Sequence, residues 1–310
     1  MLRIYQSFAG RISLPEPVNG CWVNVTQPSP DEINRLQTEF NVPREIILDI
    51  LDLDERPRVE YDRDWSLVII RIPVASPENG VPYYTVPLGI FTNKQASITL
   101  CAVPSEVIPL EQPSIYREPY QQVNDILNFI LKLSLRSANL YLRYLKQINQ
   151  QTARIEKDLE KSIRNRELNE MLKMEKCLVF FITSLKANEL VLAKLHNAKR
   201  NSISDINEDL MEDALIENKQ ALQMAQIYSD IQSGMMDAFA SVISNNLNLV
   251  MKQLTSISII LMIPTLIASL YGMNVPNYFE HASLAFPGIL LFSVFIAVVG
   301  VFIFRKRKWF

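Results

Sequence analysis

The chain contains few of the residues on which disulfides, metal centres and catalytic sites usually depend. Among its 310 residues there are only 3 cysteines and 2 histidines. Cys21, Cys101 and Cys177 are far apart and have no CxxC spacing, which predicts packed, reduced thiols and neither a disulfide framework nor a zinc site. The sequence also contains no GxSxG, P-loop or HExxH motif. We therefore expect no enzyme activity, no organic cofactor and no transport step driven by ATP.

An excess of positive charge is also missing. The formal net charge is −2, and residues 305–308 (RKRK) contribute +4, so the rest of the chain sums to −2 − 4 = −6. An acidic body with a basic tip predicts no nucleic-acid partner. It is typical of a soluble domain near cations, followed by a tail at a membrane face.

Helix-breaking residues are scarce in the middle of the chain. No proline occurs between residues 120 and 263 and no glycine between residues 90 and 233, whereas 14 of the 17 prolines precede residue 120. Long stretches without either residue predict long helices. We therefore predict an N-terminal α+β domain over residues 1–119 and a stalk of long helices over residues 120–252.

Local patterns predict the elements of both parts. Runs of β-branched and aromatic residues predict strands at residues 65–72, 83–92 and 95–103, the last two joined as a hairpin. Short helices are predicted at residues 31–40 and 43–51, the second beginning with a proline. Longer helices are predicted at residues 123–150, 168–199 and 205–271.

The segment between Lys252 and Arg305 carries a single formally charged residue, Glu280. It contains two apolar runs, at residues 254–271 and 285–304. A helix of about 20 apolar residues crosses a bilayer core. The segment therefore predicts two transmembrane helices within the lipid bilayer.

The position of these runs predicts the topology. No apolar run of signal-peptide or membrane-spanning length precedes residue 252, so the preceding chain is expected to stay in the cytoplasm. Two spans, within residues 253–304, then return the chain to the same side. We predict a multi-pass protein of the cell membrane with both termini cytoplasmic, a short outer loop at residues 272–284 and a basic tail at residues 305–310.

The predicted helix at residues 205–271 would be on the order of 100 Å long at 1.5 Å per residue. Such a helix is too long to fold back into a globule and needs neighbours along its length. A bundle of identical copies is the simplest source of those neighbours. We therefore expect a homo-oligomer.

The first span differs from an ordinary anchor because polar, small and thioether residues form one continuous stripe along it. The stripe residues follow one another at steps of three and four: Asn248, Met251, Thr255, Ser258, Met262, Thr265, Ser269 and Gly272. Two interpretations are open from this spacing. The stripe is either a tight helix–helix seam or the wall of a water-filled pore lined by one such helix from each subunit.

The pore interpretation has a chemical consequence. No carboxylate lies on the stripe within the span, so ions would pass largely hydrated or along carbonyl, amide and hydroxyl oxygens. Hard cations prefer such oxygens, and Mg²⁺ gives up its water reluctantly. A ring of Asn274 amides at the outer mouth would hydrogen-bond the waters of a hydrated cation.

Residues 271–274 (YGMN), placed after a long helix and before a basic C-terminus, resemble the signature of the CorA family of magnesium channels, which also pass cobalt or nickel. Residues 251–255 (MKQLT) resemble the family's segment at the cytoplasmic start of the first span. Residues 56–60 (RPRVE) resemble its N-terminal Arg-Pro-x-x-Glu stretch. The resemblance covers essentially the whole chain.

This resemblance implies a CorA-like homopentameric funnel, with an α/β cytoplasmic domain, first spans around the pore and second spans in an outer ring. Gly272, Met273 and Asn274 match the selectivity motif at the outer mouth. The implied pore-lining positions are Asn248, Met251, Leu254, Met262 and Thr265, and Leu254 falls beside the stripe. Methionine and leucine rings would form a hydrophobic gate that closes by dewetting.

The resemblance also implies a regulatory Mg²⁺ site between neighbouring subunits, formed by Asp49 and Asp213. Acidic residues are dense between positions 205 and 217. From the residues alone, this cluster is either a metal site or a solvated helix start favoured by the helix dipole. Leu48 stands where the family often has an acid, and the outer loop at residues 275–284 lacks the usual Met-Pro-Glu-Leu stretch.

The leading hypothesis is a passive channel for divalent cations, chiefly Mg²⁺, that is driven by the membrane potential and closed by intracellular Mg²⁺. One alternative keeps the architecture but changes the cargo, as in a zinc transporter of the related ZntB branch. The other alternative is a membrane-anchored helical scaffold that conducts nothing. Asn274 favours the channel, because a scaffold does not need an amide at the outer end of the span.

Overall fold

The computed structural model describes residues 1–6, 8, 13–75, 80–108, 126–161, 165–199, 207–273 and 284–307. The strands in these residues are β1 (Leu2–Tyr5), β2 (Ser13–Leu14), β3 (Cys21–Thr26), β4 (Arg58–Tyr61), β5 (Trp65–Ala75), β6 (Tyr83–Asn93) and β7 (Ala96–Cys101). The helices are α1 (Pro30–Thr38), α2 (Arg44–Leu51), α3 (Ile126–Lys161), α4 (Asn165–Lys199), α5 (Glu208–Tyr271) and α6 (Ala285–Lys306). Contacts group the chain into two compact units, Met1–Gly234 and Met235–Phe310.

The strands of the first unit form one sheet in the order β2-β1-β3-β7-β6-β5-β4. Every neighbouring pair is antiparallel except β3 and β7, which run parallel with Cys21 opposite Ala96. The predicted hairpin is confirmed as β6–β7. Its turn is stabilised by the Asn93 side chain, which accepts hydrogen bonds of 2.9 Å from the backbone N–H groups of Gln95 and Ala96.

Two prolines lie inside strands, Pro73 in β5 and Pro87 in β6. The β4 ladder reaches only as far as Ile69 of β5, and the β7 ladder begins at Leu88 of β6. Each proline therefore lies where the neighbouring strand on one side has ended. Its missing N–H need not face a partner strand, which is the condition under which sheets tolerate proline.

The sheet separates two apolar layers, because alternate residues of a strand point to opposite faces. On one face, Leu67 and Ile69 of β5 pack in a cluster with residues of α1 and α2. On the other face, Val68, Ile70 and Ile72 of β5 pack in a cluster with residues of α3, α4 and the start of α5. The helices predicted as a separate stalk thus share a core with the N-terminal strands.

Helix α2 lies directly on the sheet. A Cβ atom at Gly89 of β6 would overlap the Ile50 side chain, so this position has room only for glycine. The helix begins at Arg44 with Pro43 as its N-cap, one residue later than predicted. Because Ile46, Ile47 and Ile50 are buried against the sheet, the orientation of the residues between them is fixed.

The other face of the sheet is tied to the long helices by polar contacts at Arg71 of β5. The Asn188 amide of α4 accepts from the Arg71 backbone N–H at 2.8 Å and donates to its carbonyl at 2.7 Å. The Tyr141 hydroxyl of α3 donates to the same carbonyl at 3.1 Å. Arg71 lies beyond the end of the β4 ladder, so the helices satisfy backbone groups that lack a strand partner there.

Helix α5 is a single helix from Glu208 to Tyr271, with Pro264 inside it. This confirms the predicted helix for the described residues, whereas Asp205 lies outside them. Helices α5 and α6 each contain a stretch long and apolar enough to cross a membrane, judged by length and composition. The two predicted spans, at residues 254–271 and 285–304, lie within these helices.

Candidate ion pathway and regulatory metal site

The predicted stripe lies on the exposed surface of α5 in the second unit. Every stripe residue from Asn248 to Gly272 is exposed in the single chain. Ser256, only two residues before Ser258, is by contrast 0% exposed. One face of α5 is therefore covered by the chain's own second unit, and the stripe is on another face.

The covered face of α5 is the one that meets α6. Its partly or fully buried residues recur at helical spacing: Gln253, Ser256, Ile260, Pro264, Ile267 and Tyr271. A Cβ atom at Gly300 of α6 would be 3.5 Å from the Ile260 side chain, which places the two helices in contact. Each stripe residue from Thr255 onward is one or two positions away from the nearest residue of this face, a rotation of about 100° or about 160° around the helix. Helix α6 therefore leaves the stripe free for another partner or for water.

Three hydroxyl groups of the stripe bond back to their own helix. Thr255 donates to the Met251 carbonyl at 2.8 Å, Ser258 to the Leu254 carbonyl at 2.9 Å, and Thr265 to the Leu261 carbonyl at 2.7 Å. A hydroxyl has one hydrogen to donate and two lone pairs that accept. With the hydrogen engaged, each oxygen presents lone pairs, which suits the water shell of a cation.

The C-terminal end of α5 keeps its helical hydrogen bonding as far as Gly272. The Gly272 N–H continues the helical pattern by donating to the Ala268 carbonyl at 2.9 Å, and a Cβ at Gly272 would be 3.2 Å from that carbonyl oxygen. Met273 is exposed. Asn274, together with Glu280 and His281 of the loop, lies outside the described residues.

Asp49 lies near the C-terminal end of α2, in the first unit, and is held by an arginine. Its carboxylate accepts a hydrogen bond of 2.7 Å from the guanidinium of Arg58 at the start of β4. The same guanidinium also donates to Glu55 and Glu60. Partial burial lowers the pKa of Arg58, but the hydrogen bonds to Glu60 and Asp49 and the charge of Glu55 raise it above its ordinary value, so the group stays charged.

Asp213 lies early in α5 and is exposed, between Met211 and Ala214, which are buried. Asp49 also retains 45% of its side-chain exposure. Within the described residues, no three histidine, cysteine, aspartate or glutamate side chains come together as a metal site. Both aspartates are thus on the surface of the first unit, as a site shared between neighbouring copies requires. Leu48, beside Asp49, is exposed and offers no oxygen ligand.

The three cysteines are free and buried, as predicted from their spacing. Burial raises the pKa of Cys101 and of Cys177 to about 11. Because the thiolate is the reactive form, these thiols are inert at neutral pH.

A sheet-based domain followed by two membrane-length helices defines an integral membrane protein with a large domain outside the bilayer. The family model of the CorA-like Mg²⁺ transporter protein matches residues 19–306. The chain therefore belongs to the CorA-like Mg²⁺ transporter family, as its sequence motifs predicted.

Individual relatives match most of the chain. The cobalt/magnesium transport protein CorA of Methanocaldococcus jannaschii is 26% identical over 300 residues, covering 93% of this chain and 90% of that protein. The CorA protein of Thermotoga maritima is 22% identical over 307 residues, covering 93% and 83%. The complete structure of the M. jannaschii CorA magnesium transporter matches with a TM-score of 0.80 at 22% identity, covering 100% of this chain and 99% of that one.

These findings confirm the predicted fold of an α+β domain, long helices and two membrane helices. They also favour magnesium transport over the zinc alternative, since the matching family is one of Mg²⁺ transporters. The ion path and the regulatory aspartates stay predictions. The sequence reasoning missed the cluster of Arg58 with Asp49, Glu55 and Glu60, although residues 56–60 carried one of the motifs.

Proposed function

We propose that this protein carries Mg²⁺ across the cell membrane as a passive channel built from several copies of the chain, five by analogy with the CorA family. The observation that carries the proposal is the stripe of α5, which is exposed and rotated away from the face that α6 covers. In the assembly, the α5 stripes of all copies surround one pore and the α6 helices form an outer ring. Co²⁺ and Ni²⁺ are further candidate cargoes.

The membrane potential supplies the driving force. Each elementary charge gains about 2.3 kcal/mol per 100 mV, so a divalent cation gains about twice that on entering a cell with a negative interior. Inward movement needs no chemical step, in agreement with the lack of an ATP-binding motif in the sequence.

The ion path begins at Gly272, Met273 and Asn274 and continues along the stripe. Hydrated Mg²⁺ meets the amide of Asn274 first and then the hydroxyl oxygens of Ser269, Thr265, Ser258 and Thr255, with the amide of Asn248 at the inner end. Rings of Met262, Leu254 and Met251 interrupt this polar path. Closely spaced apolar rings expel water, which closes the path to a hydrated ion.

Basic residues at the ends of the two spans determine the orientation of the protein in the membrane. Lys252 precedes the first span and Arg305, Lys306 and Arg307 end the second. Arg305 and Ile257 line the same groove of about 560 Å³ between α5 and α6, so both basic ends lie on one side. Positive residues favour the cytoplasmic side, which supports the proposal that both termini are cytoplasmic and that the loop after Met273 is outside.

Intracellular Mg²⁺ closes the channel by binding between Asp49 of one copy and Asp213 of the next. A bound ion changes an equilibrium only if it binds one state more tightly than the other. The closed assembly holds the two carboxylates close enough to share Mg²⁺, and the open assembly separates them. Loss of internal Mg²⁺ therefore favours the open state.

The Asp213→Ala variant tests this regulation. We expect uptake to continue at internal Mg²⁺ concentrations that silence the wild type, because the shared site has lost one of its two carboxylates. Mg²⁺ uptake is measured in vesicles loaded with increasing Mg²⁺. The matched control is Asp209→Ala, which removes the same charge one turn earlier in α5. If both variants are inhibited like the wild type, or if both are released equally, Asp213 has no specific regulatory function.

A further inference from the structure

Three carboxylates converge on one guanidinium beside the proposed regulatory aspartate. Arg58 donates from Nη2 to Asp49 at 2.7 Å, from Nε to Glu60 and from Nη1 to Glu55. One positive charge thus faces three negative charges. The arginine side chain is only 26% exposed, so water screens these interactions less than at an open surface.

The backbone around Arg58 is anchored. Val59, the next residue, is buried, and its carbonyl accepts a hydrogen bond of 2.8 Å from Lys194 of α4. The Glu55 carbonyl accepts another of 2.8 Å from the Arg71 guanidinium. Arg58 itself is opposite Ile69 in the β4–β5 ladder. The guanidinium is therefore held beside Asp49.

We infer that Arg58 is a built-in counter-cation that competes with Mg²⁺ for Asp49 and so sets the internal Mg²⁺ concentration at which the channel closes. This inference depends on the proposed regulatory function of Asp49. A guanidinium cannot lose its proton under physiological conditions, so its charge always opposes a second cation at the same carboxylate. Mg²⁺ must displace one hydrogen bond and tolerate a positive neighbour.

The cluster allows this exchange without exposing a bare charge. Asp49 has a side-chain exposure of 45%, compared with 41% for Glu60 and 22% for Glu55. It is therefore the most accessible of the three carboxylates. When Asp49 turns to Mg²⁺, Glu55 and Glu60 still pair the guanidinium. Competition, rather than a locked ion pair, is the behaviour that this arrangement favours.

The experiment uses the full-length protein in detergent and titrates Mg²⁺ while limited proteolysis reports closure of the assembly. For Arg58→Gln we expect the Mg²⁺ concentration that gives half-maximal protection to fall about tenfold, since an opposing charge beside the ligand is gone. The matched control is Arg143→Gln. Arg143 pairs with Glu106 and belongs to α3 on the opposite face of the sheet, so its loss should leave the midpoint unchanged.

A midpoint that stays or rises in Arg58→Gln overturns the inference. If that variant does not fold, Glu60→Gln replaces it. Without the Glu60 carboxylate, the Arg58 guanidinium pairs more fully with Asp49, so the Mg²⁺ midpoint should rise. A midpoint that stays or falls overturns the inference. Asp49→Asn separates the two proposals. If Asp49→Asn loses the Mg²⁺ response and the midpoint of Arg58→Gln is unchanged, the regulatory site is supported and only the competition is rejected. A wild-type response in Asp49→Asn rejects both.

Discussion

Replacement of Asn274 by alanine should abolish Mg²⁺ uptake and leave the oligomer intact. Mg²⁺ gives up its bound water reluctantly. The proposed outer mouth therefore has to hydrogen-bond the water shell of a hydrated ion. A hydrogen bond to a charged partner contributes about 1.5–3 kcal/mol, which corresponds to roughly 10-fold to 150-fold in rate or affinity. Since every copy loses the same amide, we expect the loss to be at the upper end of that range or beyond.

Uptake is measured in vesicles containing the purified variant, and assembly is measured by light scattering during size-exclusion chromatography. Asn277→Ala is the matched control, because it removes the same amide from the proposed outer loop, three residues beyond the motif. Normal uptake by Asn274→Ala would reject the proposed mouth of the channel. Equal loss in both variants would show that the loop in general, rather than the motif, is sensitive to change.

A cysteine at Ser258 should make the channel sensitive to a cationic, membrane-impermeant thiol reagent. Ser258 is exposed on the stripe, so in a water-filled pore its thiol meets the reagent, whereas in a dry helix–helix seam it does not. Each attached group adds one positive charge. At about 5 Å in water, that charge repels a divalent ion by about 1.7 kcal/mol, so even one modified copy should reduce uptake more than tenfold.

The matched control for this experiment lies two residues earlier. Ser256 is 0% exposed and its hydroxyl donates to the Lys252 carbonyl at 2.8 Å. A cysteine there should not react, and uptake should be unchanged by the reagent. The native cysteines are buried, so they give no background. If Ser258→Cys conducts but ignores the reagent, the stripe is a seam between helices and the ion path lies elsewhere.

The long elements were predictable because their signals are local and repeated. Helix α5 extends over 64 residues with only Gly234 and Pro264 as helix breakers, and the two apolar runs require no tertiary information. Strands β5, β6 and β7 were also predicted, since β-branched and aromatic residues fill them.

The strands that were missed are either short or paired with a strand far along the chain. β4 has 4 residues, and β1 has 4 residues at the chain terminus. β3 has a β-rich sequence, CWVNVT, but it pairs in parallel with β7 more than 70 residues away. A segment of four residues, or one whose partner is so far along the chain, gives little local signal.

The candidate site, too, was predictable only in the part that has a local sequence pattern. The stripe has a helical period and was visible in the sequence, whereas the face of α5 that α6 covers depends on how two helices pack. Asp49, Glu55 and Glu60 lie at offsets of −9, −3 and +2 from Arg58. No single element has that spacing, and only the turn from α2 into β4 brings the three carboxylates to one guanidinium.

The central claim is tested most directly by ion flux into vesicles containing the purified wild-type protein, with an inside-negative potential and with internal Mg²⁺ varied. Mg²⁺, Co²⁺ and Zn²⁺ are offered separately, and vesicles without protein give the background. We predict that Mg²⁺ enters well above background at low internal Mg²⁺ and that uptake falls as internal Mg²⁺ is raised. Zn²⁺ entry without Mg²⁺ entry would support the zinc alternative, and flux of no ion above background would contradict the channel and support the scaffold.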